Sequence, residues 1–213
     1  MADRGFRGTP TRTERADRLI NEGHSRGLDI ALANTEAKIR NMNTERIYAF
    51  DKNGKEISHS TNGSISGTAL PKGKKYKDAI LTHNHPGGGL GNTIAGRIGR
   101  TIGGQDLATT IGLNAAEMRA VTKNYTYSIK RPKNGWGISS LSDILKVKNE
   151  VARKHNGAFN REYSRVMEKL GRGEVTREYV QQALDRADVA GINKALKSIS
   201  KKYGWSYTRK KTS

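Results

Sequence analysis

The chain has 213 residues, 34% of them hydrophobic, with 39 Lys and Arg against 20 Asp and Glu, a formal net charge of +19, and no cysteine. That length fits one medium domain with helical additions or two small ones, and the polar composition predicts a modest ordered core with polar arms. The missing cysteines exclude a disulfide framework, a thiolate zinc finger and a cysteine nucleophile, so any metal must be held by His and carboxylate. The basic excess favours polyanions, DNA first among them. The lack of an apolar leader or long apolar run predicts a soluble protein without a membrane partner, not secreted through a signal peptide.

Residues 1 to about 12 hold Gly, Pro, Thr and Arg without periodicity and are expected to form a flexible basic arm. From Thr13 to Met42 the spacing of Leu19, Ile20, Leu28, Ile30, Leu32 and Ile39 predicts helix, divided in two by Gly23 and Gly27. Residues 1–43 thus make an N-terminal arm with helices.

The middle of the chain has β texture. Arg46 to Phe50 is a short strand, Asn53-Gly54 the centre of a tight turn favoured because both residues tolerate positive φ, and Lys55 to Ser60 the returning strand. After a Gly/Ser/Thr-rich loop, Ala79-Ile80-Leu81 is a buried strand that ends at Thr82 and delivers His83. A Gly-rich loop runs from Gly87 to Gly104, followed by a helix from Asp106 to Leu113, and Met118–Thr122 with Tyr125–Arg131 forms a closing hairpin. This order predicts an α/β (α+β) architecture with a mixed sheet.

Beyond Gly137, residues 138–213 read as a helical region with a basic tail. One helix is capped by Ser142, a second runs from Ala158 to Leu170, and a third opens at Thr176 and continues to about Lys202. The last residues mix Lys201, Lys202, Arg209, Lys210 and Lys211 with Tyr203, Trp205 and Tyr207. They are candidate nucleic-acid contacts, or else a solvated tail with its aromatics packed on the adjoining helix.

Chemistry concentrates at His83-Asn84-His85-Pro86. Two histidines one residue apart on a strand point to one side and can share an ion. Pro86 stiffens the exit. A carboxylate from Asp106 would complete three protein ligands and leave the fourth tetrahedral position to water, and Glu45, just before the first strand, is the candidate general base. The consecutive His-Asn-His differs from an HNH nuclease motif, whose three residues are spread over a hairpin and helix. The Gly-rich loop lacks the Lys-Ser/Thr ending of a phosphate-binding P-loop. His24, His59 and His155 have no partner spacing and read as ordinary histidines.

Together, Glu45, His83-Asn84-His85-Pro86 and Asp106 resemble the JAB/MPN (JAMM) zinc metalloprotease domain, whose pattern is a Glu, then H-x-H-P, a spacer and S-x-x-D. The likeness is nearest to RadC-like copies in phage head-morphogenesis or minor head proteins and covers roughly residues 44–137. The resemblance implies a JAB/MPN-like sheet, Zn2+ on His83, His85 and Asp106, water activation by Glu45, and hydrolysis of a peptide or isopeptide bond in a protein substrate. It also implies a phage or mobile-element origin, capsid or portal proteins as partners, and a place in the host cytoplasm or the virion. Two positions depart from the pattern: the spacer after Pro86 is longer, and Gly103 stands where the family has its serine. Losing one oxyanion donor typically costs about 10²–10³ in rate. Ser64 or Ser66 from the preceding loop is the candidate substitute for that hydroxyl; the alternative expectation is a catalytically weak or inactive structural virion protein with basic, nucleic-acid-contacting termini.

Overall fold

The computed structural model describes residues 24–61, 63–64, 68–70, 74–86 and 101–212. The expected arm, the first expected helix and most of the Gly-rich loop lie outside the described residues.

Helix α1 (Arg26–Ile39) starts where Ser25 accepts the Leu28 N–H through its hydroxyl, and Asp29 places negative charge in the first turn. Its buried positions, Leu28, Leu32, Glu36 and Ile39, recur at helical spacing and define one face. Gly27 does not break this helix. It lies in its first turn because a Cβ there would sit 2.5 Å from the Asn53 carbonyl oxygen. The expected hairpin turn is present, and of its two central residues only Gly54 has positive φ, at 91°. Asn53 needs none, because the Asp51 carboxylate accepts both the Asn53 and the Lys55 N–H and closes the turn from its own side chain.

Strands β1 (Ile47–Phe50) and β2 (Glu56–Ser60) form that hairpin. A 3-10 turn (Lys74–Tyr76) leads to β3 (Ile80–Asn84), and α2 (Gly104–Gly112) precedes the hairpin β4 (Glu117–Val121) and β5 (Tyr125–Lys130). The strand β3 extends two residues further than the sequence predicts, so His83 lies inside it, paired with Ile47 on one side and Ala120 on the other. Among the described residues the sheet is mixed and six-stranded, in the order β2-β1-β3-β4-β5-β6, the last being Ser206–Lys211. Only β3 and β4 are parallel, with α2 in their crossover. With four helices among the described residues, the architecture is α+β, as expected.

Strand alternation sorts the side chains into two cores. Tyr48, Phe50, Ile80 and Val121 face α1 and bury Leu28, Leu32 and Ile39. Ala49, Leu81, Met118, Ala120, Tyr127 and Ile129 face the other way, toward α2 and the long helices α3 (Leu141–Gly171) and α4 (Arg177–Tyr203). The α1 face also carries a buried charged cluster in which Arg119 bridges Glu36 and Glu117.

Two C-terminal expectations change. Residues 141–171 form one helix, capped by Ser140 rather than Ser142, because Ile144, Val147, Val151 and Val166 give the whole segment a buried stripe that carries it through Gly157. The basic tail is a strand, β6 (Ser206–Lys211), antiparallel to β5. Gly204 turns the chain at φ 71°, and Trp205 is buried in the main core beside Trp136.

Candidate metal centre

His83 and His85 leave β3 on the α2 side of the sheet. Asn84, between them, points to the α1 side. Its carboxamide oxygen accepts the Arg46 N–H at 2.7 Å, and its nitrogen donates to the carbonyls of Thr44, at 3.1 Å, and Met42. The approach to β1 is therefore tied to the middle of the His-Asn-His run, which places Glu45 over the imidazoles. The Glu45 N–H donates to the Ser64 carbonyl at 2.8 Å, fixing the other side of that segment. Ser66 lies outside the described residues.

From across the crossover, α2 supplies Asp106. Gly103 is its N-cap, with extended backbone (φ −84°, ψ 171°), and the Gly103 N–H donates to Asp106 Oδ2 at 2.7 Å. The helix N-terminus directs its unsatisfied N–H groups at this carboxylate and favours its charged form.

The four side chains converge. His83 Nε2 and His85 Nε2 lie 2.8 Å apart. Asp106 reaches both, at 3.6 Å from His83 Nε2 and 3.5 Å from His85 Nε2, and Glu45 lies 3.5 Å from His85 Nε2. His83 is only 2% exposed and Glu45 8%. The buried group Glu45, His83 and His85 can hold a metal ion, since one ligand atom from each lies within 4.8 Å of the others. Asp106 is not in that group, although it touches both histidines.

The fit of a metal follows from the donors. Two imidazole nitrogens and two carboxylates aim acceptor lone pairs at one point, an arrangement that needs a proton or a cation to be stable. A tetrahedral ion about 2.1 Å from each ligand would set its ligands roughly 3.4 Å apart. The three imidazole–carboxylate distances are close to this, and the two imidazoles would have to part slightly. His83 Nδ1 is buried and without a hydrogen-bond partner among the described residues.

The two carboxylates are electrostatically unlike. Burial pushes Glu45 above the usual carboxylate range, although His83 and His85 oppose the rise. Burial would raise Asp106 as well, but the charges and hydrogen bonds of His83 and His85 outweigh it and hold the group well below that range.

All four site residues named from the sequence are thus brought together. Sequence reasoning missed Asn84, although strand alternation already required it to face away from its two neighbours. The other histidines are engaged elsewhere: His24 with Asp29 and Glu117, His59 with Glu56, His155 with Asp188. The candidate nucleic-acid residues divide. Lys202 pairs with Glu150 at 2.8 Å, Arg209 lies 3.9 Å over the Tyr125 ring, and Lys210 and Lys211 sit on β6, on the sheet edge; Lys201 is exposed on the last turn of α4. No helix among the described residues is long and apolar enough to cross a membrane.

Comparison with protein-family models, curated proteins and solved structures gives no match to this chain.

Proposed function

We propose that this protein is a zinc-dependent hydrolase of JAMM type acting on a peptide or isopeptide bond. The observation that carries the role assignment is that Asp106 lies within 3.6 Å of both imidazole Nε2 atoms, whereas Glu45 lies beside His85. His83, His85 and Asp106 are accordingly the three residues that hold zinc, and Glu45 stands beside the position open to water and substrate. Zinc held there would supply Lewis acidity toward a substrate carbonyl and acidify the attacking water. Glu45 then takes the water's proton at its carboxylate and returns it to the leaving amine nitrogen. Its partial burial suits that task by raising its pKa above the ordinary carboxylate value, which favours the proton's return to the leaving group. Asn84 holds the Glu45 segment in place, and His83 and His85 keep Asp106 ionised.

Gly103 favours a second reading. With no side chain at the position where the resembled family has serine, Gly103 offers no hydroxyl donor, and the site can hold a metal in a catalytically weak scaffold. A virion component of the kind that the resemblance implies would fit this reading.

The deciding experiment is elemental analysis of protein purified without a histidine tag. About one zinc per chain is expected in the wild type and in Glu45→Gln, and none in His83→Ala/His85→Ala. Zinc-bearing wild type that cleaves peptide or isopeptide substrates, with Glu45→Gln inert, supports the hydrolase. Cleavage by neither, with zinc retained, supports the scaffold. A wild type that takes up no zinc even when incubated with it overturns both.

A further inference from the structure

We infer that the groove between α3 and α4 binds the phosphodiester backbone of a nucleic acid, a site apart from the metal centre and from the basic tail. At its centre is a notch of about 300 Å3 into which Arg153, Lys154 and Arg161 project from α3 and Lys194 from α4. No acidic residue lines it, and none of the four cations makes a hydrogen bond or ion pair among the described residues. Four like charges facing one notch repel one another, and only an anion between them removes that repulsion.

The floor is built for close approach. Gly191 meets α3 so tightly that a Cβ there would lie 3.1 Å from His155 Cδ2 and 3.3 Å from the Ala158 Cβ. Gly157 and Ala195 keep the rest of the floor shallow. The groove continues past Lys194 into a second notch of about 450 Å3 bounded by Arg165, Tyr179 and Arg186. Its one acid, Glu162, is taken up by Arg165 at 2.9 Å. From Arg153 to Arg165 the rim runs for about 18 Å at the helical rise per residue, with arginines recurring along it.

A regularly charged polymer matches this rim better than an acidic peptide does. The guanidinium fork suits phosphate, and the glycine and alanine floor offers a peptide no pocket for side chains. Tyr179, 40% exposed at the far end, offers one ring for a base to stack on. The tail is the poorer candidate, since Lys202 is committed to Glu150 and Arg209 to Tyr125.

The test compares two variants of equal charge loss by fluorescence anisotropy with a labelled oligothymidylate of about 20 nucleotides, at salt between about 50 and 200 mM. The groove variant is Arg153→Gln/Arg161→Gln/Arg186→Gln/Lys194→Gln. The tail variant is Lys201→Gln/Lys202→Gln/Lys210→Gln/Lys211→Gln. The groove variant is expected to bind at least about tenfold more weakly, with a salt slope smaller by roughly 3, and the tail variant to lose no more than about threefold. Arg→Lys at the three groove arginines keeps the charge but loses the fork, and is expected to bind more tightly than the glutamine variant and more weakly than the wild type. Equal losses in the two variants, no binding by the wild type, or competition by polyglutamate as strong as by unlabelled oligonucleotide would each overturn the inference.

Discussion

Asn84 accepts the backbone N–H of Arg46 at 2.7 Å, and with its donations to Thr44 and Met42 it ties the segment bearing Glu45 to the strand bearing both histidines. Asn84 is fully buried, so removing its side chain strands three backbone groups away from water. Asn84→Ala is expected to cost about 1–3 kcal/mol in guanidinium unfolding while leaving zinc content intact, since the three proposed ligands remain. An unchanged midpoint would mean that the amide does not hold this segment.

Metal binding and stability are linked. Zinc at about 100 times its dissociation constant adds about 2.7 kcal/mol to the folded state, which for a chain of this size raises Tm by roughly 5–10 °C. The wild type should show that rise and lose it on chelation, and His83→Ala/His85→Ala should show none. Differential scanning calorimetry with and without zinc measures both.

The convergence of the candidate metal centre was legible in the sequence because its pattern is local: two histidines at strand period, a proline after them, and an acid in the first turn of the next helix. The sheet hairpins were legible for the same reason, being set by short apolar runs and an Asn-Gly turn. What the sequence did not yield was long-range. The strand character of Ser206–Lys211 depends on an open edge at β5, because five of its six residues are exposed and it has no apolar run of its own. Gly27 read as a breaker because glycine disfavours helix. At Gly27 the reason for the residue is a neighbouring backbone some 26 positions away, invisible to local spacing.

Gly103 can be returned to the residue of the resembled family. Its backbone is extended, which any residue adopts, and a Cβ would meet Asp106 Oδ2 at 3.4 Å, an ordinary contact. Gly103→Ser should therefore fold normally, with N-cap serine adding a few tenths of a kcal/mol. If the protein is a hydrolase limited by the missing hydroxyl, kcat should rise by up to about 10²–10³ with zinc content unchanged. No change in kcat, in an active wild type, would separate the hydroxyl from the rate-limiting step.

On the α1 face, His24 Nε2 lies 2.6 Å from Glu117 Oε2 and couples stability to pH. Burial would raise Glu117, but the His24 hydrogen bond and the charges of Arg119 and Lys130 bring it down from 4.5 to about 2. Its contribution is present above about 4.5 and lost as pH falls toward 2. His24 is raised above 6.5, chiefly by its hydrogen bond to Glu117, so its contribution is full below 6.5 and fades as pH rises through the folded value. The stability difference between wild type and His24→Gln should be largest between about pH 4.5 and 6.5 and shrink on either side. A difference independent of pH across urea melts would show that the pair contributes packing alone.

Trp205 joins the last strand to the middle of the domain. Its indole N–H donates to the Trp136 carbonyl at 2.9 Å, the Trp136 indole donates to the Ala115 carbonyl at 2.9 Å, and the two rings meet edge to face at 5.1 Å. Loss of this ring opens a cavity between α4 and β5 and frees β6 from the edge it protects. Trp205→Ala is accordingly expected to cost about 3–5 kcal/mol, and Trp205→Phe, which keeps most of the ring, about 1 kcal/mol more than nothing for the lost hydrogen bond. The destabilisation should belong to the whole sheet. Hydrogen exchange at Tyr127 and Ile129, which pair with Arg209 and Tyr207, should accelerate together with exchange in β3 and β4, in one cooperative transition. Acceleration confined to β6 would instead make the C-terminal strand an independent addition to a domain complete without it.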